Sequence, residues 1–323
     1  MTTAEILVPT HDHARTLGHS LRSAQAQTVE DIRIVVIGDG IGDDTRDVVA
    51  DVAADDRRVE LLDLPKAGRT GEPHRDPVVR GSTAAMVTYL CDDDLLFADH
   101  VERMLELLGD ADVALPPSTH LDVEGTVHCS PVSLADEEWR EVALEGRSLY
   151  GLTGLSHTTE AYRRLPEGWT TTPEGFYTDQ YMLLKFLRLP GCRFVGGDEA
   201  TTVYLPSPPR KHMSDDDRAA ELDRVVAWLG SGGWDQYRRA ARAGIRRIAS
   251  RYQLDVPRLR AQRDEAVTYA QSLRSHLERA HDELAALRAE QNERTATEPS
   301  APEPGTVSRR WPLGRRPPDR SPG

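Results

Sequence analysis

The stretch Met86–His100, MVTYLCDDDLLFADH, decides how this chain is read. A short apolar run is followed by Cys91 and then by three adjacent carboxylates, Asp92, Asp93 and Asp94. Like charges a few ångströms apart repel, so a chain that sets them straight after a buried strand must neutralise them. Hard divalent cations take oxygen ligands, and Mg²⁺ uses one or two carboxylates together with substrate phosphates. On a strand end Asp92 and Asp94 would point to the same side and share one ion. Two other readings stay open on this stretch alone. One is a cap for the helix that starts near Ala98, for which a single aspartate suffices. The other is a phospho-accepting aspartate, which calls for a much shorter domain and a lysine at a later strand end.

Outward from that stretch, strands and helices alternate. Ile6–Val8 reads as a first strand, followed by a Pro turn and a helix from Ala14. Ile32–Ile37 reads as a second strand ending in Gly-Asp-Gly, and DDTRDVVADVAADD carries Val48, Val49 and Val52 at helical spacing. RVELLDL is a third strand, DPVVRGSTA a helix, AMVTYL a fourth strand, ADHVERMLELLGD an amphipathic helix and DVALPPS a further strand. This alternation predicts an α/β fold with a mostly parallel central sheet flanked by helices. Ligands of such sheets bind outside the carboxyl ends of the strands. Asp39 and Asp92–Asp94 both fall at strand ends, which is the first functional signal.

Composition sets limits. Of the 323 residues 38% are hydrophobic and 29% charged, which fits a soluble globular protein with a charged appendage. A net charge of −13 argues against a nucleic-acid partner, which needs a basic face. Cys91, Cys129 and Cys192 are widely spaced and contain no CxxC pair, as expected of reduced thiols. No apolar run approaches the roughly 18–20 residues needed to cross a bilayer, so the expected location is cytoplasmic.

Between Leu121 and Tyr204 the pattern is irregular and reads as the second half of one domain. The domain expectation is a catalytic domain over 1–215 and a helical extension over 216–255. From Leu259 to Leu287 apolar residues fall at alternating spacings of three and four, which predicts a coiled coil over 256–292 and a homo-oligomer. Residues 293–323, rich in Pro and Arg, read as a disordered tail.

VVIGDGIGDD is not a dinucleotide fingerprint, since its glycines give GxGxG and follow the second strand. Asp39 reads instead as a carboxylate on a tight turn. PTHDHART lacks the glycines and lysine that a nucleotidyltransferase phosphate loop would need.

Four motifs in order carry a resemblance over residues 4–210: ILVPTHDHARTLGHSLRSAQAQT, IRIVVIGDGIGDDT, HRDPVVRGSTAAMVTYLCDDDLL and EGFYTDQYMLLKFL. Together they resemble glycosyltransferase family 2, with its inverting chemistry and Rossmann-like glycosyltransferase-A type fold. The resemblance implies that Pro9 and Thr10 lie along a nucleotide base and that Asp39 bonds it. Arg75 would approach the diphosphate. Asp92 and Asp94 would hold Mn²⁺ or Mg²⁺ as a DXD motif, Asp93 would meet the donor sugar, and Asp179 would be the general base. His212, in PSPPRKHMS, is a further candidate metal ligand, with Arg210 and Lys211 beside it as candidate phosphate contacts. The implied donor is a UDP- or dTDP-sugar, and the implied acceptor a saccharide, a lipid-linked molecule or a small molecule, with the protein peripheral at the inner face of a membrane. Departures from the family pattern are Gly38 and Ile41 around Asp39, Cys91 for a frequent aspartate, Asp76 for a frequent asparagine, and Thr178 before Asp179. The alternative function is a coiled-coil assembly or binding protein that carries a degenerate transferase domain.

Overall fold

The computed structural model describes residues 2–130 and 132–297, with side chains at 252–255, 257 and 290–297 left aside. The elements run in the order β1 (Ala4–Thr10), α1 (Ala14–Gln25), β2 (Ile32–Asp39), α2 (Asp43–Asp55), β3 (Val59–Leu64), α3 (Glu72–Gly81) and β4 (Met86–Tyr89). Then come β5 (Leu95–Leu96), α4 (His100–Leu107), β6 (Val113–Leu115), β7 (Thr119–Leu121), β8 (Val127–Cys129), α5 (Glu137–Leu144), β9 (Ser156–Thr158), α6 (Thr159–Arg163) and α7 (Thr178–Leu187). The chain continues through β10 (Phe194–Gly196), β11 (Thr202–Val203), α8 (Ser207–Arg210), α9 (Asp215–Trp228) and α10 (Trp234–Thr297).

Alternation in the first strands builds a two-sided sheet. Ala4, Ile6 and Val8 of β1 pack with Ile32, Ile34 and Val36 of β2 on the α1/α2 face. Leu7, Val35 and Ile37 face the opposite layer, with Val79, Ala161 and Phe186 of α3, α6 and α7. Strands buried on both faces belong to parallel sheets covered by helices. The seven-stranded sheet has the order β10-β6-β9-β4-β1-β2-β3. Its pairs are parallel except where β9 enters between β4 and β6. That insertion comes from the stretch that reads as irregular in sequence, because three residues are too few to show a period.

The expected α/β architecture with a mostly parallel sheet is therefore the fold observed. Two local boundaries differ. Helix α3 begins at Glu72 rather than near Asp76, with Pro73 in its first turn, where a missing N–H costs nothing. The last Met86-to-Leu90 residue leaves the strand early, so that β4 ends at Tyr89.

The first compact unit runs from Met1 to Leu254 and takes in α9. Leu222, Val225 and Leu229 are buried there with Leu95, Phe97 and Val203, so α9 is an integral part of the unit rather than an extension. A second unit begins at Asp255. The stretch expected to form a coiled coil is helical, and Leu259, Leu273, Leu277, Leu284 and Leu287 are exposed on it. The tail expected from 293 is helical to Thr297, and from 298 onward it lies outside the described residues. Among the described residues no helix is long and apolar enough to cross a membrane.

Candidate active site

The parallel strands β1, β2 and β4 deliver Thr10, Asp39 and Cys91–Asp94 to one edge of the sheet. A cavity of about 430 Å³ lies there, lined by Pro9, Thr10, Asp39, Arg75, Asp92, Asp93, Asp94 and Asp179 among others. Eight residues singled out from widely separated motifs thus meet in one place.

Each of the three aspartates meets a different partner. Asp92 Oδ1 lies 2.9 Å from His13 Nδ1 at the start of α1. That hydrogen bond and the Asp92 charge raise His13 to about 9, so the imidazole is cationic at neutral pH. Asp93 accepts from the Arg218 guanidinium of α9. Asp94 is fully buried, accepting the Thr153 hydroxyl on Oδ2 and the Leu205 N–H on Oδ1 at 2.8 Å. Burial and then the neighbouring Asp93 push Asp94 well above the usual carboxylate range. Asp93 is raised for the same reasons, with burial first and Asp92 next.

The grouping of Asp92 with Asp94 loses its original ground. It rested on strand alternation, but the strand has ended by Cys91. The Asp94 N–H bonds back to the Cys91 carbonyl at 3.2 Å, so Cys91–Asp94 form a turn. The atoms that converge are one from each of Cys91, Asp93 and Asp94, all within 4.8 Å of one another. The two carboxylates suit a divalent cation because they offer hard oxygen ligands. The Cys91 thiol is a poorer donor, since burial first and Asp94 next push it well above its ordinary value and keep it protonated.

Asp39 is held more tightly than its turn suggests. Its Oδ1 accepts the Ala67 N–H at 2.6 Å, and Oδ2 pairs with Lys66. Burial acts to raise this carboxyl, but the Ala67 N–H and the Lys66 ammonium outweigh it and hold the group below the usual range. Gly71, at φ 70°, is required twice over. It caps α3 in the left-handed region, and a Cβ there would sit 2.7 Å from Asp39 Cγ.

Arg75 is the most telling side chain. It is 3% exposed, its Nη2 donates to the Thr70 carbonyl at 2.8 Å, and its guanidinium lies 4.7 Å over the Trp169 ring. Trp169 in turn donates from Nε1 to Tyr89 Oη, which lies 2.9 Å from His157 Nε2. Arg75 Nε and Nη1 are buried with no partner among the described residues. Burial lowers the pKa of Arg75. A buried guanidinium with two unpaired donors is costly unless an anion completes it.

Asp179 sits in the first turn of α7, its Oδ1 accepting the Gln180 N–H at 2.7 Å. Burial raises its pKa, with the Gln180 N–H working against the shift. Glu72 steadies this turn, since the Thr178 hydroxyl donates to Glu72 Oε1 at 3.0 Å. Tyr204 stands nearby, with burial and then the charges of Asp94, Cys91, Asp179 and Asp93 raising its phenol.

The PSPPRKHMS candidates do not join the site. His212 and Lys211 are exposed just beyond α8 and do not line the cavity. Arg210 is buried as a two-pronged pair with Glu221, at 2.7 Å from Nε and 2.7 Å from Nη2, so it is structural. Residues that sequence reading passed over are His13, Lys66, Glu72, Thr153, Trp169 and Arg218. Only His13, directly after a strand-end turn, carried a local signal.

Fold and site together define an α/β domain with an acidic cluster at the sheet's carboxyl edge. Residues 5–164 match the family model described as "Glycosyl transferase family 2". The chain thus carries a family 2 glycosyltransferase domain, and its fold is of the glycosyltransferase-A type. A GalNAc(5)-diNAcBac-PP-undecaprenol beta-1,3-glucosyltransferase of Campylobacter jejuni is 29% identical over 108 residues, 33% of this chain and 34% of the relative. An uncharacterized glycosyltransferase of Nostoc sp. is 28% identical over 120 residues, 36% of each. The chain therefore spans about a third of the length of these curated relatives. Among solved structures, S. aureus TarS in complex with UDP-GlcNAc aligns with TM-score 0.51 at 16% identity, covering 63% of this chain and 58% of that one.

Proposed function

We propose that the protein transfers a sugar from a nucleotide-sugar donor to an acceptor hydroxyl, with inversion at the anomeric carbon. The observation that carries this reading is Arg75, whose two buried, unpartnered donors border a cavity shared with Asp92–Asp94 and Asp179. A diphosphate supplies the anionic oxygens that such a guanidinium lacks. The donor fits a UDP- or dTDP-sugar, with Pro9, Thr10 and Asp39 toward the base.

Asp93 and Asp94 would hold Mn²⁺ or Mg²⁺, with Asp92 beside them. When bound, the ion supplies Lewis-acid stabilisation of charge on the departing diphosphate. Arg75 stabilises the same charge from the opposite layer of the sheet. Asp179, raised by burial, accepts the proton of the acceptor hydroxyl as that oxygen attacks. The leaving group occupies one face of the sugar, so attack comes from the other and the configuration inverts.

The acceptor is proposed to be a lipid-linked saccharide, on the strength of the Campylobacter relative's name, with the protein peripheral at a membrane. The exposed leucines at heptad spacing support pairing of 256–292 with a second copy. Ending the chain before 256 should yield a monomer by light scattering.

The decisive experiment is a thermal-shift panel of nucleotide-sugars with and without Mn²⁺, followed by a transfer assay. Donor-dependent stabilisation by a UDP- or dTDP-sugar is expected, strengthened by Mn²⁺. No stabilisation by any donor would instead favour a degenerate domain used for assembly.

A further inference from the structure

Helix α9 brings a cation to the acidic cluster across 125 residues of sequence. Its start is fixed by a reciprocal cap in which Ser214 Oγ accepts the Asp217 N–H at 3.1 Å and donates to Asp217 Oδ2 at 2.7 Å. An ion pair and a hydrogen bond lay it along α1, Arg15 with Asp216 at 2.7 Å and His19 Nε2 with Asp223 Oδ1 at 2.7 Å. Docked in this way, α9 inserts Arg218 against Asp93, with both side chains largely withdrawn from water at 16% and 11% exposure. An exposed pair of this kind would contribute little. Here neither charge has bulk water to turn to, so each depends on the other.

Asp93 is also one of the three residues whose ligating atoms converge within 4.8 Å. A guanidinium and a divalent ion bring the same sign of charge to the same carboxylate. We propose that Arg218 is a resident counter-ion of the acidic cluster, which a divalent cation must displace from Asp93 to bind. This rests on the reading of the cluster as the metal site. Without the ion, Arg218 and His13 together offset the repulsion within Asp92–Asp94. When the ion takes Asp93, which lines the cavity, Arg218 is freed from that carboxylate and its new partner is an anion, the diphosphate of the donor. Ion binding is thereby tied to nucleotide binding, because the arginine opposes the first until the second arrives.

The test measures Mn²⁺ binding to the full chain by the electron paramagnetic resonance signal of free Mn²⁺, with no nucleotide present. Arg218→Gln should bind Mn²⁺ about tenfold more tightly than the wild type, because a cation at the binding carboxylate has been removed. Arg218→Lys keeps the charge and should stay within about threefold of the wild type. Arg218→Met, which keeps the apolar stem, gives the same tightening by an independent route should the glutamine variant fold poorly. Equal or weaker Mn²⁺ affinity in the uncharged variants overturns the counter-ion role and leaves the metal site standing. Tightening by lysine as large as that by glutamine also overturns it. No Mn²⁺ binding by the wild type or any variant overturns the metal site itself and this proposal with it.

Discussion

Arg75 and Arg210 are buried to nearly the same degree, at 3% and 1% exposure, in two regions of the first unit, and they differ in what surrounds them. Around Arg210, at the junction of α8 and α9, every guanidinium nitrogen has a partner. Glu221 takes Nε and Nη2, the Pro206 carbonyl takes Nη1 at 3.1 Å, and the Leu121 carbonyl lies 3.2 Å from Nη2. Around Arg75, at the cavity, one donor reaches the Thr70 carbonyl and the aromatic face of Trp169 supports the ring, while Nε and Nη1 have no partner among the described residues. The first region is satisfied by the chain itself. The second leaves two donor nitrogens that the proposed function assigns to a ligand. On that reading burial of charge serves stability in one place and ligand recognition in the other, and the inventory of partners tells them apart.

The sharpest break between the two regions is expected at Asp179. Asp179→Asn should lower kcat by about 10²–10⁴ while donor affinity and Tm stay near wild type. Full activity in this variant would remove the residue from the base role. Next in size is Arg210→Ala, which leaves Glu221 charged and buried and should cost about 3–5 kcal/mol of stability. Denaturant melts check it, with donor affinity in the surviving folded protein unchanged. Arg75→Ala should do the reverse, weakening UDP binding by about 1.5–3 kcal/mol, the worth of a charge-assisted bond, without lowering Tm. If Arg75→Ala instead unfolds the protein and binds UDP normally, the contrast between the two arginines collapses.

Smaller effects refine the comparison. Gly71→Ala forces a residue with a Cβ into φ 70° and against Asp39, and should cost about 1–3 kcal/mol. Donor affinity measured by calorimetry should fall with it, since Asp39 is displaced. Separate from the substitutions is the pH dependence carried by His100 and His157. Burial lowers them to about 3 and about 4, against an ordinary 6.5. The unfolded chain binds protons in the interval where the native state does not, so stability is full above 6.5 and falls as pH drops below it. Each contributes a slope of about 1.4 kcal/mol per pH unit across its interval. Thermal melts between pH 7.5 and 5 should show this loss, with no matching change between pH 7 and 8 from these two groups.

Much of the fold was legible in the residues. Ile6, Leu7 and Val8, the Ile32–Ile37 run and Met86–Leu90 announced buried strands by length and apolar content, and the helices between them by period. The candidate site was legible where a chemical group sat at a strand end, as Thr10, Asp39 and Asp92–Asp94 do. It was less legible where the local period stopped applying. Asp92 and Asp94 were grouped by alternation that ends at Tyr89, and His212 was placed by its neighbours in sequence although its loop leaves it exposed.

By itself, then, the sequence determined the alternation of central-sheet strands with helices up to Val113, the acidic character of the sheet's carboxyl edge and the identity of the groups brought there. These follow from period, chain direction and side-chain chemistry, which are local properties. Only the tertiary structure decided which partner each group meets: Arg218 for Asp93, Leu205 and Thr153 for Asp94, Trp169 beneath Arg75, and β9 between β4 and β6. Those pairings join residues far apart in the chain, and they are fixed by how helices and loops pack on the sheet. A charge cluster can declare that it needs neutralising, but the cation that does so arrives from a helix whose position only packing sets.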